Sequence, residues 1–266
     1  MHINLLDPYQ HRSSLIHRLD SRVKLVLAVA FILATALTPP GAWPVYILLL
    51  ALLLAVEILS DLGIGYVMKR AVLATPFVLA ALPVLFTVPG VPLLTLDIGS
   101  WDLTITAAGV ERFLSIALKS WLSVQMAIVL AASTTVPDLL GAMRAVRVPR
   151  LLVAVIGLMW RYLFVLADEA LRLMRARAAR SGHAAGSPYR RGGSIRWRAR
   201  VTGGMAGNLF MRSFDRGERI YAAMAARGYD GEVRSLPQPP IPGWQRLLLA
   251  GGLGVLALLA LLAYLL

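Results

Sequence analysis

The sequence contains no cysteine, only four histidines, and few charged residues, 15% of its 266. The missing cysteines exclude a disulfide framework, thiolate metal ligation and a cysteine nucleophile at once. His2, His11 and His17 crowd the N-terminal end at spacings that match no tight metal site. Acidic residues are scarcest: 14 Asp+Glu stand against 27 Lys+Arg, a formal charge of +13. Soluble domains carry about 25% charged and about 45–50% hydrophobic residues. At 58% hydrophobic, this chain does not fit that class. Strong basicity in turn points to nucleic acid or an anionic membrane surface as partner.

What fills the sequence instead is long apolar runs, and a membrane-spanning helix needs about 20 mostly apolar residues. Five runs qualify. Leu25 to Leu37, extended back past Lys24 whose long stem can reach the interface, stops at Pro39-Pro40. Trp43 to Leu59 opens on Trp43-Pro44, a favourable interfacial helix start. Ala71 to Val88 carries Pro76 and Pro83 and is expected to be kinked. Phe113 to Thr134 is interrupted by Lys119 and Gln125, and Leu247 to Leu266 carries no charge at all. Ala34-Thr35-Ala36 imitates a signal-peptide cleavage site, but the long basic stretch before it and the spans after it favour a retained first helix.

Cytoplasmic loops hold an excess of Lys and Arg. Four precede the first span (Arg12, Arg18, Arg22, Lys24), none separates spans one and two, Lys69 and Arg70 lie between two and three, and Arg112 alone between three and four. The N-terminus is therefore expected in the cytoplasm, and Leu266 outside. Residues 1–135 read as a four-span region, 136–246 as a cytoplasmic segment and 247–266 as the last span. The stretch from Pro137 to Arg246 holds 19 Lys+Arg against 7 Asp+Glu, nearly the whole surplus of charge. Leu151 to Leu166 inside it is short and contains Arg161, so it is expected to lie at the interface or under the bundle rather than to span. Between spans three and four, the alternation around Gly99-Ser100 predicts a small external β-hairpin. The fold class is thus all-α and integral to the membrane, with about five spans plus cytoplasmic helices.

Within the basic segment, Val136 to Arg150 predicts one helix, with Asp138 in its first turn and Pro149 at its end. A second runs from near Leu151 through Asp168-Glu169 to Arg180, with Asp168 and Arg172 spaced as an ion pair. Gly182 to Gly207, with seven glycines, reads as a basic hinge or short helix, and Asn208 as the cap of a further helix that ends at Arg227-Gly228. Phe210, Phe214, Tyr221 and Met224 share one face of it. Two helices thus end alike, as Ala179-Arg180-Ser181 and Ala226-Arg227-Gly228. An Arg in a last turn, flanked by small residues, projects beyond the helix and can grip a carboxylate on an approaching surface with both arms of its fork. The plainer role is a cation placed well on the helix dipole.

These residues together resemble the transmembrane T component of energy-coupling factor (ECF) transporters, in its cobalt-associated CbiQ branch. The resemblance rests on Leu19-Asp-Ser-Arg-Val-Lys24, Val148-Pro-Arg150, Arg161-Tyr-Leu-Phe-Val-Leu-Ala-Asp-Glu169, Gly207-Asn-Leu-Phe-Met-Arg-Ser213 and Arg216-Gly-Glu-Arg219. It rests also on Ala223-Met-Ala-Ala-Arg-Gly-Tyr-Asp-Gly231. The family's paired Ala-Arg-Gly motif is intact at Ala226-Arg227-Gly228 and carries serine at its third position in Ala179-Arg180-Ser181. The resemblance implies a non-enzymatic scaffold in the bacterial inner membrane. Its partners are a pair of CbiO-like ABC ATPases, on which the two arginines dock, and a CbiM-like capture subunit with a CbiN-like small subunit. Cobalt as the cargo is implied by the resemblance alone, with nickel or a vitamin as the alternative. No G-x-x-x-x-G-K-[ST] loop occurs, so ATP and Mg belong to the partners, and no cofactor is expected on this chain.

Three other classes fit less well. Glu57, Lys119 and Gln125 are the conspicuous polar groups in the spans and form no catalytic constellation. A self-sufficient channel or secondary transporter would need several facing polar groups at mid-membrane depth, and span four offers little beyond Gln125, Ser115 and Ser123. Arg190 to Arg200 with Trp197 suit nucleic acid chemically, but a juxtamembrane basic stretch is commonly drawn to anionic lipid.

Overall fold

A computed structural model describes residues 9–98, 101–180, 194–231 and 239–265. The described residues divide into two compact units, one within 147–231 and one joining 9–146 to 239–265.

In the larger unit, α1 (Ser21–Leu37) starts where Asp20 accepts the Arg22 amide at 2.9 Å, an N-cap that satisfies one orphan donor of the first turn. α2 (Trp43–Ser60) has Pro44 in its first turn and ends at Asp61, whose φ is 54°. The third apolar run begins earlier than Ala71: α3 (Ile64–Ala71) takes in Lys69 and Arg70, and the Arg70 guanidinium stacks 4.5 Å over the Tyr66 ring. It continues as a 3₁₀ turn (Val72–Ala74), α4 (Thr75–Ala80) and α5 (Val84–Thr87), so the two prolines break the run into pieces. The expected hairpin is present as antiparallel β1 (Pro92–Ile98) and β2 (Trp101–Thr106), with Ile98 opposite Trp101; its tip, residues 99–100, lies outside the described residues.

α6 (Ala107–Ser133) starts before Phe113 because Thr106 caps it, accepting the Gly109 amide at 3.0 Å. A Cβ on Gly109 would stand 2.7 Å from the Leu85 carbonyl oxygen, so glycine is what lets α6 pass α5 this closely. α7 (Val136–Ala145) is capped by Thr135, whose hydroxyl also donates to Asp138 Oδ2 at 2.6 Å. It stops before Arg150, at an Arg147 with φ 63°. α10 (Gly243–Leu265) closes the unit.

α1 packs against α6, α7 and α10, and Phe31, Leu49, Leu53 and Leu122 fill the centre. The outer faces remain apolar, as Leu247, Leu261 and Leu265 on α10 illustrate, which suits a lipid surround. By length and composition five helical stretches among the described residues can cross a membrane: Trp43–Ser60, Ile64–Thr87, Ala107–Ser133, Arg150–Arg180 and Gly243–Leu265. α1 has 17 residues and packs in the larger unit with residues of α2, α6 and α10. Lipid supplies little hydrophobic drive between helices, so packing and hydrogen bonds must hold them together. Two lysines act here. Lys24 is 9% exposed and does not run out to the interface: its ammonium donates to the Ser133 carbonyl at 2.8 Å and to His17 O at 3.3 Å. Lys119 Nζ likewise donates to Ala36 O at 3.1 Å, beside Tyr264, whose hydroxyl donates to Leu37 O at 3.0 Å. Each lysine therefore caps a helix C-terminus, where carbonyls lack intrahelical partners and the dipole favours a cation.

The smaller unit is built on two long helices, α8 (Arg150–Arg180) and α9 (Ile195–Ala226). α9 is continuous, so neither a hinge at Gly203 to Gly207 nor a helix start at Asn208 is found. Its cap is Ser194, which accepts the Trp197 amide at 3.3 Å. Glycine costs about 1 kcal/mol against alanine in a helix interior, and the capped N-terminus and the packing against α8 hold the helix through it. Residues 181–193, with Ser181 and the Arg190-Arg191 pair, lie outside the described residues.

Candidate functional site

α8 and α9 run antiparallel. Leu158, Tyr162 and Leu166 of α8 border one apolar groove with Gly217, Ile220 and Met224 of α9, a seam at three- and four-residue spacing. Farther along α8, Glu169 receives Arg212 Nη1 at 3.0 Å on one carboxylate oxygen and Arg216 Nη2 at 3.2 Å on the other. Farther still, Arg177 donates to Thr202 Oγ1 at 3.2 Å and lies 5.7 Å from the Trp197 ring centre. Among the described residues Asp168 and Arg172 form no ion pair; Glu169 makes the charged contact instead, across to α9. A signal was present, because 158, 162, 166 and 169 continue one stripe of α8 into the seam.

This geometry fixes where the two candidate arginines stand. Arg180 is the exposed last residue of α8, after Ala179. Arg227 is the exposed C-cap of α9, after Ala226, and Gly228 behind it has φ 79°, a conformation open to glycine and strained for other residues. The Gly228 amide donates to Ala225 O and the Tyr229 amide to Met224 O, each at 3.0 Å, closing the turn in the manner of a Schellman cap. Arg227 borders a cleft of about 680 Å³ with Arg161, Tyr162 and Asp230. Arg161 and Arg180 are nineteen residues apart, so at about 1.5 Å per residue the two arginines are separated by roughly 30 Å along α8. The hairpin therefore does not gather Arg180 and Arg227 into one site; it presents one at each end.

The hairpin also carries exposed apolar side chains. Phe210, Phe214 and Tyr221 of α9 and Leu151 and Met159 of α8 are all more than half exposed, and Met224 turns into the groove. Aromatic and arginine side chains on one exposed surface are the composition of a protein interface. Among the described residues no group of three or more His, Cys, Asp or Glu could hold a metal ion. Glu57 and Gln125 are buried among the helices of the larger unit, with Gln125 Nε2 3.5 Å from Met68 Sδ.

The family described as cobalt transport protein, CbiQ, matches residues 12–239. The chain belongs to the CbiQ family. The cobalt transport protein CbiQ of Rhodobacter capsulatus is 30% identical over 217 residues, covering 82% of this chain and 81% of its own. The energy-coupling factor transporter transmembrane protein EcfT of Brevibacillus brevis is 27% identical over 236 residues, covering 85% and 84%. The nickel permease LarQ of Lactiplantibacillus plantarum is 32% identical over 129 residues, covering 48% and 44%. This CbiQ-family chain is accordingly a transmembrane T component of an ECF transporter, a multi-pass membrane protein.

Proposed function

We propose that this T component couples ATP hydrolysis to the import of cobalt, joining two cytoplasmic ABC-type ATPases to a membrane subunit that captures the metal. The observation that carries the reading is the pair of exposed arginines, Arg180 and Arg227, each ending a helix after alanine and held apart by one hairpin. Two docking points on one rigid element suit two copies of an ATPase, because closure of the pair then acts on both ends of the hairpin together. An arginine fork at each end fits a carboxylate-lined groove. The exposed apolar side chains of the hairpin give the capture subunit a surface to bind. ATP and Mg stay with the ATPases, and the chain itself carries out no chemistry.

Cobalt is favoured by the names of the relatives that span most of the chain. Nickel is the second reading, favoured by the nickel permease matching about half of it. Accumulation of the two metals by cells expressing the complete complex decides between them. The Lys and Arg counts support a cytoplasmic side for the N-terminus, the α6–α7 connection and the α8–α9 hairpin, and α8 then lies at the interface.

Replacing both arginines, Arg180→Glu and Arg227→Glu, is expected to leave the chain in the membrane and to detach the ATPases. Pull-down through a tag on the T component should recover less than about a tenth of the wild-type ATPase, since a broken charge-paired contact typically costs 2 kcal/mol or more. Undiminished recovery would refute the docking role.

A further inference from the structure

The chain leaves the larger unit through α7 toward the α8–α9 hairpin and re-enters it before α10, and both of these roots meet the first turn of α1. At the outgoing root, Lys24 donates to the Ser133 carbonyl at 2.8 Å, just before Thr135 caps α7. At the returning root, Arg22 Nη2 donates to the Pro239 carbonyl at 2.9 Å, and the Asp20 amide donates to Gln245 Oε1 at 3.0 Å. Arg22, Lys24, Ser133, Thr135, Asp138 and Pro239 border one cavity of about 300 Å³, so the two roots stand around the same turn.

The returning root is poor in donors. Pro239, Pro240 and Pro242 have no N–H, so a side chain that holds this segment must donate to its carbonyls. Two arginines do so: Arg22 takes Pro239 O, and Arg246 Nε takes Ile241 O at 3.0 Å. Proline also fixes φ and stiffens the segment, so a hold on one carbonyl constrains the residues that follow. Asp20 aims the guanidinium. Its carboxylate accepts the Arg22 amide and lies 3.5 Å from Arg22 Nε, with both side chains less than a fifth exposed. A guanidinium reaches Asp20 with Nε and Pro239 with Nη2 at once, which the compact ammonium of a lysine does not reproduce.

We infer that Arg22 is a positioning residue for energy coupling: with Lys24 it fastens both roots of the segment bearing Arg180 and Arg227 to one turn of α1. On the docking reading of those two arginines, on which this role rests, force applied at either root then reaches a helix that packs against α6, α7 and α10. Without the guanidinium the ATPases still dock and turn over, but the returning root gives way and less of each cycle reaches the spans.

The test uses the complete complex in proteoliposomes, with ATP hydrolysis and metal uptake read on one preparation, for whichever of cobalt and nickel the wild type accumulates. Arg22→Met keeps the stem and removes the guanidinium. It should leave ATPase recovery in the pull-down and the hydrolysis rate close to wild type, and lower the metal imported per ATP hydrolysed severalfold. A merely destabilised chain would lose hydrolysis and uptake together. Arg22→Lys, which keeps a donor, should give a yield between those of Arg22→Met and wild type. Gln245→Met removes the acceptor of the Asp20 amide at nearly constant volume and should lower the same yield, a second route to the answer if Arg22→Met does not assemble. The Gln245 and Arg246 amides, bonded to Pro242 O in the first turn of α10, should exchange hydrogen faster in both methionine variants. An unchanged yield per ATP in those variants, hydrolysis and uptake falling in proportion, or a lysine variant no better than Arg22→Met would each overturn the positioning role. The docking reading fails separately, when Arg180→Glu with Arg227→Glu still retains the ATPases.

Discussion

His17 illustrates how a single side chain docks the segment before α1. Its Nε2 lies 3.0 Å from the Gln10 carbonyl, which can only accept, so Nε2 carries the hydrogen and Nδ1 accepts from the Ser14 hydroxyl at 2.7 Å. The same segment is tied to the end of α6 by the Gln10 amide, 2.9 Å from Ala132 O. Burial holds the imidazole below its usual 6.5, with the positive charges of Lys24 and Arg12 acting in the same direction. The folded chain therefore binds fewer protons than the unfolded one in this range, and stability rises with pH there. The contribution is complete above 6.5 and falls away as the medium is acidified through it. The thermal midpoint in detergent should accordingly drop between about pH 7.5 and about pH 5.5, and His17→Gln should flatten part of that slope. Identical slopes in the two proteins would show that another group is responsible. The sequence displays His17 as one of three scattered histidines; its partners, Ser14 and Gln10, are local but depend on a turn that no periodicity announces.

At the scale of elements, the crossing of α8 and α9 rests on a side chain that sequence spacing alone does not single out. Both oxygens of Glu169 are engaged by arginines one helical turn apart, so the contact resists sliding as well as separation. Exposed ion pairs contribute little to stability, and its expected importance is in alignment: it sets where Arg180 and Arg227 stand relative to one another. Glu169→Arg should leave heat stability and ATPase recovery close to wild type and lower metal uptake severalfold. Adding Arg212→Glu and Arg216→Glu to it should restore part of the uptake by reversing the pair. Unchanged uptake in Glu169→Arg, or no recovery in the triple variant, would count against alignment through this contact. Much of each element was legible beforehand: the proline and tryptophan at the start of α2, the alternation of the hairpin and the glycine behind Arg227 are local signals. The course of α9 was not, because its glycines read as a hinge when judged by propensity, while the cap at Ser194 and the neighbouring helix decide the outcome. The role of Lys24 was not legible either, since reaching an interface and capping another helix call for the same long stem.

For the whole molecule, the charge distribution and the apolar lengths give different weights to α8. By length and composition α8 can cross a membrane, yet its apolar stretch carries Arg161 and leads into Arg172, Arg175, Arg177 and Arg180. Spanning would carry those four arginines to the face that the loop counts mark as external, against the rule that cytoplasmic loops hold the positive charge. The rule reads charge near short loops, and the hydropathy of a window reads neither sign nor side, which is why sequence alone sets the two against each other. The absence of cysteine makes the question direct to answer. Single replacements Gly99→Cys in the hairpin tip and Gly186→Cys beyond α8 can be labelled in intact cells with a membrane-impermeant maleimide. With α8 at the interface, Gly99→Cys labels from outside and Gly186→Cys only after the membrane is opened. With α8 as a further span, both label from outside, and Arg180 would lie beyond the reach of any cytoplasmic ATPase. Opposite-side labelling is the expected result, and same-side labelling would remove the docking of Arg180 along with the topology.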